Sequence, residues 1–387
     1  MAAEAFGRTA IRRLRSPLIR WYRRHKRDLP WRRTRDPYAI WVSEVMLQQT
    51  TVAAVVPYWE RFLDRFPDVE TLAAAREDDV LAAWSGLGYY SRARNLRRGA
   101  IAVMERHHGS LPDTTETLLS LPGIGRYTAG AIASLAFAAP APIVDGNVKR
   151  VFARVFAIGT PPGPGLDRTA WSVAEALVPG RDPGDLNQAI MELGATVCTP
   201  RAPRCGDCPL ARECAARAAG SPEAYPARRT TAAARSVLAA AAWIERRGKV
   251  LLERRHPGAV LRGEWDVPIV AVPAGRDARR ALARALETRH HLTVGIGGRV
   301  ARIRHAILDD RLTIDVYRVT LEASLPRSSR LRFVSPLDLD RVAHSGATRK
   351  VVAAAQAPAP EPQKRSHRSR SSGRASSSSG AMRRSNA

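Results

Sequence analysis

Between residues 17 and 215 apolar positions recur at helical spacing, and no stretch alternates as a half-buried strand would. Val148, Val151, Phe152 and Val155 stand at i, i+3, i+4 and i+7, one buried face of a helix. Ser16-Pro17 and Asp36-Pro37 read as a cap followed by a first-turn proline. Asp113-Thr114-Thr115-Glu116 has the spacing of a capping box with Asp113 as cap. The pattern predicts an all-α body. It ends at Ala215–Arg235, an Ala/Arg/Pro/Gly stretch without periodicity that reads as a linker. Beyond it, Val237–Glu245 and Val250–Arg254 flank Arg246-Arg247-Gly248-Lys249, and Val300–Leu308 and Leu312–Leu321 flank Asp309-Asp310, which predicts two hairpins. Asp277–His290 predicts a helix, and a short one is expected near Leu337–Ala355, making a small α+β domain. From Gln356 the chain turns Pro-rich and then Ser/Arg-rich, with too little apolar surface to fold. The expected organisation is an all-α core at 1–214, a linker at 215–235, an α+β domain at 236–355 and a disordered basic tail at 356–387.

Charge narrows the choice of partner. The 387 residues carry 62 Lys and Arg against 36 acids, a net +26, and only Lys26, Lys149, Lys249, Lys350 and Lys364 are lysines. Such an excess points to a polyanion, most simply nucleic acid. The tail holds seven basic residues and one acid, so most of the excess sits on the folded body. A membrane span is not expected, because the longest uncharged run, Tyr127–Val144, is broken by Pro140 and Pro142. The amino terminus has no apolar signal core, so export is not expected either. All four cysteines lie between 198 and 214, a layout for a metal site in a reducing compartment rather than a disulfide framework.

Several short stretches carry candidate chemistry. Cys198, Cys205, Cys208 and Cys214 follow C-x6-C-x2-C-x5-C; four thiolates in one loop suit a [4Fe–4S] cluster, and the C-x2-C pair leaves zinc open as well. Leu121-Pro-Gly-Ile-Gly-Arg-Tyr-Thr-Ala-Gly130 falls between two predicted helices, where Gly123 and Gly125 free backbone N–H groups to grip a phosphate. Asp145 opens Asp145-Gly-Asn-Val-Lys-Arg-Val151, and a helix cap there is at once a carboxylate kept ionised, able to face a cationic sugar. Glu44 shares a helical face with Ile40 and Leu47. Either its head reaches water from the rim, or burial raises its pKa and makes it a proton donor. Together the two carboxyls form the acid/anion pair that cleaves glycosidic bonds. Gln48-Gln49-Thr50 and the glycine turn Gly86-Leu-Gly-Tyr-Tyr90 supply amides and rings suited to wedging into a duplex.

Leu29-Pro-Trp-Arg32, Trp41–Thr50, Gly86–Arg94, Leu121–Gly130, Asp145–Val151, Asn187-Gln188 and the four cysteines, in this order, resemble the helix-hairpin-helix DNA glycosylases, and within them the adenine DNA glycosylases of the MutY type. The resemblance implies base-excision repair of adenine mispaired with 8-oxoguanine or guanine in double-stranded DNA, by a monomer. It further implies a cytoplasmic, nucleoid-associated enzyme, or a nuclear or organellar one in a eukaryote. It implies Glu44 as general acid, Asp145 as stabiliser of the sugar cation, and Tyr127 and Asn147 as their positioning partners. By the same resemblance Trp31, Arg32 and Gln188 form the adenine pocket, Leu47, Gln49, Thr50 and Tyr89 enter the duplex, and the cysteines hold a [4Fe–4S] cluster. Endonuclease III-like relatives carry a nucleophilic lysine where this chain has Tyr127, which favours base removal without strand cleavage. Thymine/guanine mismatch glycosylases share that tyrosine, but Glu44, Gln188 and a C-terminal domain argue for adenine. A purely DNA-binding relative would need neither Glu44 nor Asp145. Residues 236–350, with Gly263-Glu-Trp-Asp-Val-Pro268, resemble the family's Nudix-like C-terminal domain. The hydrolases' Arg-Glu-x-x-Glu-Glu run is missing from Asp277–Glu287, so a recognition module is expected. Where the family's recognition loop usually reads Phe-Ser-His, this chain has Ile303-Arg304-His305, leaving His305 or a backbone carbonyl as its reader.

Overall fold

In the computed structural model of the chain the described residues are 6–228, 235–256, 258–259, 264–307, 310–326, 328 and 330–357. Met1–Ala355 makes one compact unit, and the remainder, expected as the basic tail, lies outside the described residues from 358 onward.

Residues up to 228 are helical, with no strand among those described. They pack around two large apolar cores. The first is built on the helix Pro37–Leu47, whose cap Asp36 accepts from the backbone N–H groups of Tyr38 and Ala39. Tyr38 to Met46 are all buried, so this helix runs through the core rather than over it. Gly99 lets the Ser91–His107 helix lie against Trp41, since a Cβ there would stand 2.7 Å from the indole ring. The second core gathers Val148, Val151, Phe152 and Val155 of the Gly146–Val155 helix against Leu18 and Tyr22 of Arg15–His25 and Leu186 and Leu193 of Pro183–Thr196.

Two capping expectations shift. Thr114, not Asp113, caps the Thr115–Leu119 helix, its hydroxyl accepting from the Thr117 N–H. Ser16 caps nothing, because the helix already begins at Arg15 and Pro17 sits inside its first turn. The expected linker also begins folded. Ala215–Ala218 is a short helix with Ala216 fully buried, and Arg154 donates to the Tyr225 carbonyl; residues 229–234 lie outside the described set.

The α+β part has two sheets. Strands β1 (Arg235–Trp243), β2 (Glu245–Arg246), β3 (Lys249–Arg254), β4 (Trp265–Asp266), β5 (Ile269–Ala271), β6 (Val294–Ile307), β7 (Asp310–Leu321) and β8 (Leu331–Val334) form one sheet ordered β5-β1-β7-β6 and another ordered β2-β3-β4, with β8 on β3. β6 and β7 pair antiparallel as expected. The first expected hairpin is smaller than the sequence suggested. Only β2 and β3 close around Arg247-Gly248, while β1 joins the other sheet, parallel to β7. Ala239 to Trp243 are buried on both faces, as a strand enclosed between layers requires, so no alternation marks it. The helix Ala278–His290, capped by Asp277, covers one face.

One segment of this half reaches into the helical half. Ser85 Oγ donates to the Val342 carbonyl at 2.9 Å and Tyr90 OH to that of His344 at 2.5 Å. Ala343 between them is buried in the first helical core, and Arg94 pairs with Glu264 at 2.7 Å. Among the described residues no helix is long and apolar enough to cross a membrane.

Candidate active site

A cleft of about 750 Å³ opens between the two helical cores. The Pro37–Leu47 helix presents Glu44 to it, the Arg126–Ala136 helix presents Tyr127, and the Gly146–Val155 helix begins at its wall with Asp145 and Asn147. Trp31, Arg32, Leu47, Gln49, Thr50, Gly125 and Gln188 also line it.

Glu44 is buried, only 4% exposed, and accepts a 2.7 Å hydrogen bond from Tyr127 OH on Oε2. Burial, helped by the nearby Asp145 charge, raises its pKa to about 7 against the pull of that bond and of Arg32. Tyr127 itself is pushed well upward, by burial first and then by the two carboxyls, so it stays a donor. Asp145 is held differently. Its Oδ1 accepts from the Val148 N–H at 2.7 Å at the head of the helix, and its Oδ2 accepts from Asn147 Nδ2 at 2.8 Å. Asn147 is held in turn by Arg150, which donates to its Oδ1 at 2.8 Å and to the Gly194 and Cys198 carbonyls at 2.7 and 2.8 Å. Gly194 has no room for a side chain, since a Cβ would lie 2.6 Å from the Asn147 Cβ.

Arg32 does not point freely into the cleft. Its Nη2 donates to Glu192 Oε2 at 2.8 Å, while Arg27 grips both oxygens of the same carboxylate. Burial pulls the Glu192 pKa up, but the bonds from Arg27 and Arg32 outweigh it and hold the value at about 2. Glu192 and Met191, whose Sδ stands 3.3 Å from Tyr127 OH, were missed in the sequence. A signal was there: Gln188, Met191, Glu192 and Ala195 fall at i, i+3, i+4 and i+7 and form one cleft-lining face of the Pro183–Thr196 helix.

Three expected site residues lie off the cleft. Tyr89 sits at the tip of the Gly86–Tyr90 turn with positive φ, 37% exposed. Gly123, also at positive φ, and Gly125 form the turn between the Thr115–Leu119 and Arg126–Ala136 helices; Gly125, the cap of the second, reaches the cleft and Gly123 does not. His305 is on the edge strand β6, half-buried against the start of the Gly346–Gln356 helix, and burial together with Lys350 lowers its pKa.

The four cysteines converge on one small apolar cavity of about 20 Å³ walled by Val151, Val155, Leu193 and Val197. Arg154, buried, donates to Cys198 Sγ at 3.3 Å, and burial pushes the Cys208 thiol up to about 12. Among the described residues no three His, Cys, Asp or Glu side chains are arranged to hold a single metal ion. A shared cavity lined by four thiols beside a buried cation fits a cluster that takes one thiolate per iron.

A helical cleft that brings a buried carboxyl and a helix-capping carboxyl to one wall suits the breaking of a glycosidic bond, as in a base-excision glycosylase. In agreement, residues 42–175 match the HhH-GPD superfamily base excision DNA repair proteins and residues 239–354 the NUDIX domain. The adenine DNA glycosylase of Rattus norvegicus is 37% identical over 404 residues, covering 89% of this chain and 77% of its own. That of Mycolicibacterium smegmatis is 42% identical over 265 residues, covering 67% and 87%. A solved thermostable thymine-DNA glycosylase aligns at 30% identity and a TM-score of 0.49 over 54% of this chain and 96% of its own. The chain belongs to the adenine DNA glycosylase family and is an adenine-excising DNA repair enzyme that acts on N-glycosyl bonds.

Proposed function

We propose that this enzyme removes adenine paired with 8-oxoguanine or guanine after flipping it into the cleft, since N7 and C1′ are inaccessible inside the stack. The observation that carries the reading is the contrast between two carboxyls of one cleft, Glu44 buried and biased towards its proton, Asp145 bonded by two donors at the head of a helix. Glu44 protonates adenine N7, which makes the base a better leaving group. Asp145 stabilises the oxocarbenium ion as the N-glycosidic bond breaks, and water completes the hydrolysis at C1′. Tyr127 and Asn147 orient the two carboxyls. Trp31, Arg32 and Gln188 hold the base, and Tyr127, unable to form a Schiff base, leaves the enzyme without strand cleavage. Leu47, Gln49, Thr50 and Tyr89 enter the duplex, and the Gly123–Gly125 turn grips a phosphate through the amino end of the Arg126–Ala136 helix. In the same reading 1–214 is the catalytic core, 215–235 a linker, 236–355 the recognition module and 356–387 a solvated basic tail. The enzyme works as a monomer on chromosomal DNA, in the nucleoid, or in the nucleus or an organelle of a eukaryote.

Base release from duplexes carrying A opposite 8-oxoguanine, A opposite G and T opposite G tests this directly. Release is expected from the first two, with preference for 8-oxoguanine; release from T opposite G alone overturns it. Guanine lacks the proton on N7 that 8-oxoguanine carries, so the reader must accept there. Arg304 is exposed and can only donate, whereas a neutral His305 can accept. His305→Ala should therefore erode the preference more than Arg304→Ala; the reverse order refutes this assignment.

Cys198, Cys205, Cys208 and Cys214 would hold a [4Fe–4S] cluster, which when bound supplies a rigid, charged loop next to the catalytic core. Arg154 places its guanidinium against the sulfur of Cys198, and Arg150 ties the Cys198 carbonyl to Asn147, so this loop and the Asp145 helix share one hydrogen-bonded wall. Anaerobically purified protein should be brown, absorb broadly near ~400 nm and contain iron and sulfide in similar amounts. Stoichiometric zinc instead would exclude the cluster.

A further inference from the structure

The helix Ser91–His107 begins with a buried arginine that the mechanism above does not use. Arg92 is 9% exposed, and its guanidinium spans two separate turns. On one side Nη1 donates to the carbonyls of Val45, Met46 and Gln48 at 2.8, 2.9 and 2.5 Å, which closes the carboxyl end of the Glu44 helix. On the other Nη2 donates to the carbonyls of Leu87 and Gly88 at 3.2 and 3.3 Å, and back to Thr50 Oγ1 at 3.3 Å. Each turn holds a residue in the left-handed region, Gln49 at φ +58° and Tyr89 at φ +49°. Neither is glycine, so both conformations are held against their intrinsic preference. The guanidinium also lies 5.4 Å over the Trp84 ring and 5.6 Å over that of Tyr89.

A buried arginine is costly, and this one leaves its Nε without a hydrogen-bond partner among the described residues. Burial lowers its pKa to about 10, which still leaves it charged near neutral pH. Capping one helix end would need only a single cation at the rim. A planar fork with donors on two nitrogens is what bridging two backbones requires.

We propose that Arg92 is a positioning residue that locks the Gln48–Thr50 turn to the Gly86–Tyr90 turn, so that Gln49 and Tyr89 move into the duplex as one unit while the Glu44 helix keeps its place. The functional half of this statement rests on the reading that those turns enter the duplex. The lock itself is a property of the free protein.

The test uses the full chain with Arg92→Lys, which keeps the charge but loses the fork, and with Arg92→Met, which keeps much of the bulk and loses both. Amide hydrogen exchange should accelerate by about tenfold or more in 45–50 and in 86–90 together, with the rest of the chain unchanged. Single-turnover base release at saturating protein should fall by about 10²-fold, the scale of a misplaced reacting group, and by more than duplex affinity falls. Arg92→Lys should recover thermal stability relative to Arg92→Met without recovering base release. In the unaltered background Gln49→Ala and Tyr89→Ala should combine non-additively, and in the Arg92→Lys background additively. Exchange that rises in one turn only, in neither, or throughout the chain overturns the lock. Exchange that rises in both turns while base release stays normal supports the lock and refutes duplex entry.

Discussion

Glu44→Gln is expected to lose base release by about 10²–10⁴-fold in single turnover while still binding the mispaired duplex. The amide keeps the shape of the side chain and can accept the Tyr127 hydrogen bond, but it has no proton to give to N7. Asp145→Asn should lose activity on a comparable scale with binding retained, because an amide fills the cap yet carries no negative charge for the sugar cation. Near-normal release by either variant would remove that carboxyl from the mechanism. The pH profile has a fixed sign. The acid must be protonated, so the rate should be retained below about 7 and lost as pH rises through that value. Stability follows the same group. The folded pKa of about 7 lies above the ordinary 4.5, so its stabilising contribution is complete below 4.5 and is lost as pH rises through 7. Above neutrality the buried carboxylate costs on the order of 3 kcal/mol, and Glu44→Gln should therefore melt higher than the unaltered enzyme at alkaline pH. Equal melting of the two proteins there would contradict the burial argument.

Glu192→Ala is expected to cost about 3–5 kcal/mol of stability in denaturant titration, because it strands Arg32 with no carboxylate beneath the cleft. Glu192 is fully buried, and Arg32 is 9% exposed at the side chain, so water cannot replace the lost partner well. Arg27, 40% exposed, suffers less. The pH dependence runs opposite to that of Glu44. The folded value near 2 lies below the ordinary carboxylate range, so this contribution is present above that range and is lost as pH falls through about 2. A loss under about 1 kcal/mol would mean that the triad is no better than an exposed ion pair.

What the sequence made legible is what is encoded within a few residues. Asp36-Pro37 caps its helix, and Val148, Val151, Phe152 and Val155 all face the second core. The cap at Thr114 was missed by one residue because Asp113 offers the same side-chain chemistry one position earlier. The strand β1 was merged into a hairpin because its central alanines, buried on both faces, carry no alternation. Of the candidate site, the cleft brings together Glu44 and Asp145, legible in their local motifs, with Tyr127 and Gln188, which only the family resemblance marked. What stayed hidden is held by distant partners. Arg32 and Arg27 lie 160 and 165 positions from Glu192, and Arg92 reaches back across more than 40 to the end of the Glu44 helix. No window of sequence exposes a buried charge whose counter-charge is elsewhere.

The contact made by Val342, Ala343 and His344 bears on how such a protein can be reshuffled. Ala343 completes an apolar core that belongs to the other half of the molecule, and the carbonyls on either side of it receive the hydroxyls of Ser85 and Tyr90. Those hydroxyls flank the turn that carries Tyr89. The carboxyl-terminal half is thus not a cassette that separates from the helical half without loss of these contacts. Removing this segment would take away the acceptors of Ser85 and Tyr90 and open the first helical core beside the turn that carries Tyr89.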